Sequence, residues 1–370
     1  MMKNKKIVII ILGLGILALS IYGGQKMAIK SKLPIKSPQI LRDLAYDRNK
    51  RLGYTIYIPE SGKLEPYYVL TKNYYKQGNV LLMRKYVLNS AIPYKHEHST
   101  SYYGNSLPDK FMNEVFIKEF PEKLQDEIPV TSINITDEKS VMSRKDTEVV
   151  KRKIFSFLQK ELGQNDFNIS DEEKITYFSD GKFKRSQGRL KTGDIVSWWL
   201  RGVDLYRRDN FAAIAKYNGY IEYAEVMSPI YIRPSFCLSP DTKIAKKNVA
   251  GKEIYVLKDF QDLPIKPEIL VEKVGLKYPE LQEYYVKHDY VGIDVDISNP
   301  QYGAYLSDNP VVPRAETVVV RALPYSEGQF EGWYSGDRLI SHDPVLTYQV
   351  DKNETLIAKF SARGDGNAEK

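Results

Sequence analysis

The chain has one cysteine and four histidines in 370 residues. A single thiol, Cys237, cannot close an internal disulfide, which excludes a disulfide-framed secreted module. Histidine is too sparse to build an obvious metal site. His96 and His98 share one face of an extended segment, but spacing identifies no third ligand, and the stretch reads as a solvated loop. Asp294 and Asp296 also share a face, and two carboxylates fall short of the six to eight oxygens, roughly, that calcium takes. No GxSxG elbow, Walker loop, HExxH helix or dinucleotide fingerprint occurs, so no catalytic residue, cofactor or metal is assigned. Asp171, Glu172 and Glu173 read as a helix N-terminus, not as an acid–base set. Only three tryptophans are present, and two of them are adjacent in SWWLRG (197–202).

Aromatic residues of the other kinds are plentiful. Tyrosine reaches 28 and phenylalanine 13, which suits β-sheet surfaces and a sizeable core. The length allows two or three domains. One long uncharged run, Ile7 to Gly24, is preceded by Lys3, Lys5 and Lys6. That is the plan of a signal peptide or a single signal-anchor, with the N-terminus in the cytoplasm and the body exported. The run sits at the lower edge of the ~17–25 residues a span needs. Ala18-Leu19-Ser20 offers a cleavage site, so the expected location is the cell membrane, single-pass, or secretion if the segment is cut.

The formal charge of +7 is spread along the chain. Its densest cluster, KFKRSQGRLK (182–191), reads as a solvated loop or as an attraction for an anionic wall polymer. Nucleic acid is not an expected partner.

An α+β organisation follows from the pattern. Residues 25–51 read as a spacer and 52–240 as an α+β domain. Residues 241–288 read as a connector with a helix near 280–286, 289–360 as a β domain and 361–370 as a disordered tail. Within the second block Ser106 can cap a helix with Pro108 in its first turn, and Pro121 ends it. Ser170 and Glu173 suit a capping box, and Asn218-Gly219 is a strong hairpin signal.

SWWLRG, followed by YIRPSFCL (231–238), resembles the hallmark of a bacterial surface domain of unknown function. PYYVL (66–70), with Tyr68 where that family usually has tryptophan, NVLLMRKYVL (79–88), YGNSLPDKFMNEVF (103–116) and KIFSFLQKELG (153–163) follow in the same order. The family is similar in its late motifs to C-type-lectin-like and formylglycine-generating-enzyme folds, which implies a compact α+β body with long loops. No agreed site residues come with the resemblance. The oxidase-type relatives use a cysteine pair, which this chain lacks. Residues 316–360 look like a divergent internalin-type B repeat, with Phe330, Gly332, Trp333, Gly336, Tyr348 and Phe360 on its pattern. That implies a small β-grasp-like unit, with GIDVDISNPQYGAYL (292–306) as a first hairpin.

On a strand, Trp198 and Trp199 point to opposite faces and cannot form one stacking platform. Trp198, Trp199, Leu200 and Arg201 are therefore read as structural, with Arg201 stacked on Trp199 or bonded to loop carbonyls. Arg233 and Pro234 read as a tie at a strand edge or bulge, Trp333 as core, and Cys237 as buried. Binding contacts are expected on two polar-aromatic loops. One carries Tyr102 and Tyr103, the other Tyr206, Arg207, Arg208 and Asp209. The expected function is non-catalytic surface recognition of a glycan, wall polymer or protein. The rivals are an envelope enzyme and a purely structural part of a surface assembly. Arg363-Gly364-Asp365 reads as a chance tripeptide.

Overall fold

A computed structural model describes residues 37–49, 53–143, 146–163, 174–181, 183–191, 193–204, 208–249, 251–265, 290–307 and 311–364. The apolar run 7–24, the capping box at 170–173, the helix near 280–286, Tyr206, Arg207 and Asp365 lie outside them. Among the described residues no helix is long and apolar enough to cross a membrane.

Residues 40–257 are built mainly on two sheets with few helices. The larger has seven strands in the order Ile244–Val249, Lys252–Leu257, Thr55–Glu60, Lys63–Tyr74, Asn79–Arg84, Ser235–Leu238 and Ile154–Phe155. The smaller has five, in the order Ile221–Glu225, Phe211–Ala215, Trp198–Val203, Ile230–Tyr231 and Ala91–Ile92. Alternating apolar residues of both sheets close on one core, which includes Ile56, Leu82, Phe155, Phe236 and both adjacent indoles.

Two expectations about boundaries change. Residues 244–257, read as connector, form a hairpin on the large sheet, and Lys252–Leu257 pairs parallel with Thr55–Glu60. The last residues of the expected spacer also belong to the body, since Leu41 and Leu44 are fully buried in its core. In both cases the anchoring partner is remote in sequence, so proline breaks and lysines gave a linker-like local signal. The basic cluster is likewise not a loop: Phe183–Ser186 is helical, Arg185 lies 4.6 Å and 4.5 Å from the Tyr46 and Tyr177 ring centres, and Lys191 pairs with Glu65 at 2.5 Å.

The turn signals behave locally. Asn218-Gly219 joins Phe211–Ala215 to Ile221–Glu225, with Gly219 at φ 86°, a conformation that a β-carbon disfavours. Ser106 accepts a hydrogen bond from the Asp109 amide at 3.3 Å, capping a helical segment. That segment changes pitch, from α over Leu107–Lys110 to π over Phe111–Val115 and 3-10 over Phe116–Glu119. Pro234 falls where the chain leaves the small sheet at Ile230–Tyr231 and enters the large one at Ser235–Leu238.

The C-terminal strands form a five-stranded sheet, Val311–Pro313, Tyr290–Ser298, Glu354–Ala362, Gly328–Ser335 and Arg338–Ser341, and a three-stranded sheet, Gly303–Ser307, Thr317–Pro324 and Val345–Gln349. Their shared core centres on Trp333, whose ring lies 5.5 Å from Phe330. The expected first hairpin is absent. Tyr290–Ser298 runs parallel to Glu354–Ala362, while Gly303–Ser307 pairs with Thr317–Pro324 in the other sheet. This module is also docked: Ala304, Leu306 and Tyr325 are part of the large core of the body. Arg321 donates to both oxygens of Glu119 at 2.9 Å and 2.7 Å, and Asn89 donates to the Ser307 carbonyl at 3.1 Å.

Candidate functional site

The Trp strand is closed to solvent. Trp198 and Trp199 are both 0% exposed, and each ring N–H donates to a main-chain carbonyl, Ser186 at 2.9 Å and Ile92 at 2.8 Å. Their ring neighbours differ: Phe157 for Trp198 and Tyr94 for Trp199. Each indole therefore buries its apolar body and satisfies its one donor. Gly202 follows because a β-carbon there would stand 1.4 Å from the Gln159 amide oxygen, in the bulge between Trp199 and Val203.

Of the two placements expected for Arg201, a stack on Trp199 or bonds to loop carbonyls, the structure has bonds to carbonyls. Its guanidinium donates to the Asn134 carbonyl at 3.0 Å and the Ser156 carbonyl at 2.5 Å, and pairs with Glu161 at 2.7 Å. The guanidinium carbon lies 5.9 Å from the Phe155 ring centre, and Nη2 donates to the Tyr75 hydroxyl at 3.1 Å. Burial opposes its charge, but Glu161 and the Tyr74 and Tyr75 hydroxyls raise its pKa well above the ordinary arginine value. Arg233 is a comparable tie, donating to the Arg84, Gln187 and Lys85 carbonyls at 3.0 Å, 3.0 Å and 2.9 Å.

The two nominated loops meet. The Ser101 amide donates to the Asp209 carbonyl at 2.6 Å, and the Val226 amide to the Asn210 carbonyl at 2.9 Å. Of the nominated side chains, Tyr103 is not available to a ligand. It is buried, and its hydroxyl accepts from the Ser156 amide at 3.2 Å. Tyr102 is half-buried and donates to Glu148 at 2.5 Å. Arg208 is exposed, pairs with buried Asp204 at 2.5 Å and covers the Phe211 ring at 3.9 Å. Asp209 is exposed. Lys95, beside this junction, is buried and bonds Asn105, and burial lowers its pKa to about 8.

Beyond Gly104 and Asn105 the first loop runs into an open cleft of about 650 Å³. Its helical wall carries Asp109, Lys110, Asn113, Glu114 and Ile117, the spacing of one helix face. Its strand wall carries Lys151, Arg152 and Lys153, at the end of the Thr147–Arg152 strand, and Glu327 comes from the C-terminal module. Arg152 anchors the floor: it binds both oxygens of buried Asp109 at 2.8 Å and the Gly104 carbonyl at 3.1 Å. Asn113 donates to Asp109 Oδ1 at 3.1 Å and to the Ile154 carbonyl at 2.8 Å. Burial raises the Asp109 pKa, and Arg152 only partly offsets it.

Sequence reasoning reached the loop at 101–105 and missed the cleft beside it. The helix periodicity of Asp109, Asn113 and Ile117 was a usable signal; the strand wall and Glu327 arrive from distant sequence and left none. His98 meets Glu225 at 3.3 Å on the surface, and neither His96 nor His98 lines the cleft. Among the described residues no group of three His, Cys, Asp or Glu is placed to hold a metal ion.

Residues 77–240 match the family described as "Domain of unknown function (DUF6273)". The match covers both tryptophans of the buried pair, the meeting loops and most of the cleft wall, but leaves out the Thr55–Glu60 and Lys63–Tyr74 strands and the 244–257 hairpin. No curated protein and no solved structure matches the chain.

Proposed function

We propose that this chain is a non-catalytic, exported bacterial surface protein that recognises a polar polymer, a glycan or an anionic wall polymer, at the cleft between its helix face and the end of the Thr147–Arg152 strand. The cleft itself carries the reading. Ten of its twelve lining residues are polar, charged or glycine, the exceptions being Ile117 and Val130, and it opens beside two joined loops and a docked second module. A saccharide or phosphate-bearing chain meets such a surface through hydrogen bonds and screened charge, not through an apolar pocket. The lysine-headed apolar run at the N-terminus supports export, and the Trp-Trp-Leu-Arg order supports kinship with lectin-like surface domains. The C-terminal strands are proposed as a β-grasp-like repeat unit that is held rigidly against the body.

The test is an array of glycans, wall polymers and proteins probed with the full chain. Saturable binding to a polar polymer, weakened by salt and by Lys151→Gln with Lys153→Gln, is expected. Absence of any saturable ligand, together with unchanged adhesion of cells lacking the protein, would sink the reading.

A further inference from the structure

The floor of the cleft is largely committed to its own hydrogen bonds. Arg152 is spent on Asp109, the Lys151 carbonyl and the Gly104 carbonyl, and Asn113 on Asp109 and Ile154. A ligand is therefore held chiefly by the rim, and the rim is divided by charge sign. On the strand side stand two amines. Lys151 is exposed, and Lys153 has a neutral acceptor, the Gln125 carbonyl at 2.6 Å. On the helix side stand two carboxylates around one lysine. Glu327 pairs with Lys110, and Glu114 accepts from the Ser326 amide and hydroxyl at 3.3 Å and 2.9 Å. The strand side thus carries surplus positive charge and the helix side surplus negative charge.

We propose that the cleft selects a zwitterionic polymer segment, its anionic group taken by Lys151 and Lys153 and its cationic group by Glu114 and Glu327. The proposal rests on the reading of this cleft as the binding site and adds the class of ligand. A plain polyanion gains from the two lysines and is repelled across the cleft; a polycation meets the reverse. Only a chain bearing both signs satisfies both rims, and the like-charge penalty excludes the others. Because Glu327 belongs to the C-terminal module, that module sets specificity and is more than a stalk. Its attachment is rigid enough for this: Arg321 binds Glu119 in a two-pronged pair, Tyr325 is buried in the body's core, and Lys110 lies 5.0 Å over the Tyr325 ring.

The experiment is calorimetric titration of the full chain with poly(glycerol phosphate), with and without ester-linked D-alanine, which adds an ammonium group to the polyanion. The esterified polymer is expected to bind about tenfold more tightly, a difference of ~1.4 kcal/mol. The double variant Glu114→Gln, Glu327→Gln should bring the two affinities within about twofold, by raising that of the unesterified polymer. Lys151→Gln with Lys153→Gln should weaken both. Equal affinities in the native chain, or preference for the unesterified polymer, overturn the ligand class while leaving the site intact. Binding that ignores all four substitutions, or no binding of either polymer, overturns the site reading as well. Unchanged melting temperatures of both double variants certify that they fold.

Discussion

Arg201 and Glu161 form an ion pair, Nη2 to Oε1 at 2.7 Å, in which both side chains are 0% exposed. The pair joins the Trp strand to the helical turn at 159–162 and is completed by the Tyr74 hydroxyl, which donates to Glu161 at 2.6 Å. Two buried charges are tolerable only while each is the other's solvent. Glu161→Gln or Arg201→Met alone strands a charge or leaves donors and acceptors open, at a cost of about 3–5 kcal/mol. Thermal denaturation should show a large drop in melting temperature for each. The double variant Arg201→Met, Glu161→Leu should recover part of it.

All three tryptophans are 0% exposed. Acrylamide should quench the native chain weakly, from a blue-shifted emission, and strongly after unfolding. Trp198→Ala and Trp199→Ala should each cost about 3–5 kcal/mol, because the cavity has no water-accessible edge through which to collapse. A strongly quenched native spectrum would contradict the packing.

Cys237 lies in the Ser235–Leu238 strand of the large sheet, buried, and burial pushes its thiol up to about 12. A thiolate is the reactive form, so an aromatic disulfide reagent should label the folded chain far more slowly than the unfolded one. Fast labelling of the native protein at neutral pH would show that this part of the sheet opens.

Lys95 gives a stability change with a defined sign. Burial depresses its folded pKa to about 8, below the ordinary lysine value of 10.5. Glu138, Asp109 and Glu97 oppose that depression without cancelling it. Between those two values the unfolded state binds more protons, so this group's contribution to stability rises with pH across the window. Lys95→Met should flatten the increase in chemical-denaturation midpoint between pH 8 and 10. An identical pH profile in the variant would contradict it.

What could be read from the sequence was local. The Asn218-Gly219 turn and the Ser106 cap each depend on neighbours within a few residues, and the chain folds there as its turn and cap chemistry dictates. The rest depends on partners brought from afar. Nothing near Arg201 announces Glu161, forty positions away, and nothing in the 244–257 stretch announces a parallel neighbour at Thr55–Glu60. The candidate site divides in the same way. Its first loop and helix face are continuous sequence, whereas Arg152, Lys153 and Glu327 reach it only through the fold. Tyr103 shows the opposite error: a tyrosine in a polar stretch looks exposed, and a remote amide at Ser156 draws it inside.

The most direct test of recognition at the cleft rim is hydrogen–deuterium exchange of the full chain, with and without the polymer that binds it on the array. Protection is predicted in 104–117, in 147–153 and around Ser326 and Glu327, with the Trp198–Val203 strand unchanged because it is already closed. Protection centred on the Trp strand or on the Tyr217–Tyr220 hairpin, with the cleft segments unaffected, would contradict it.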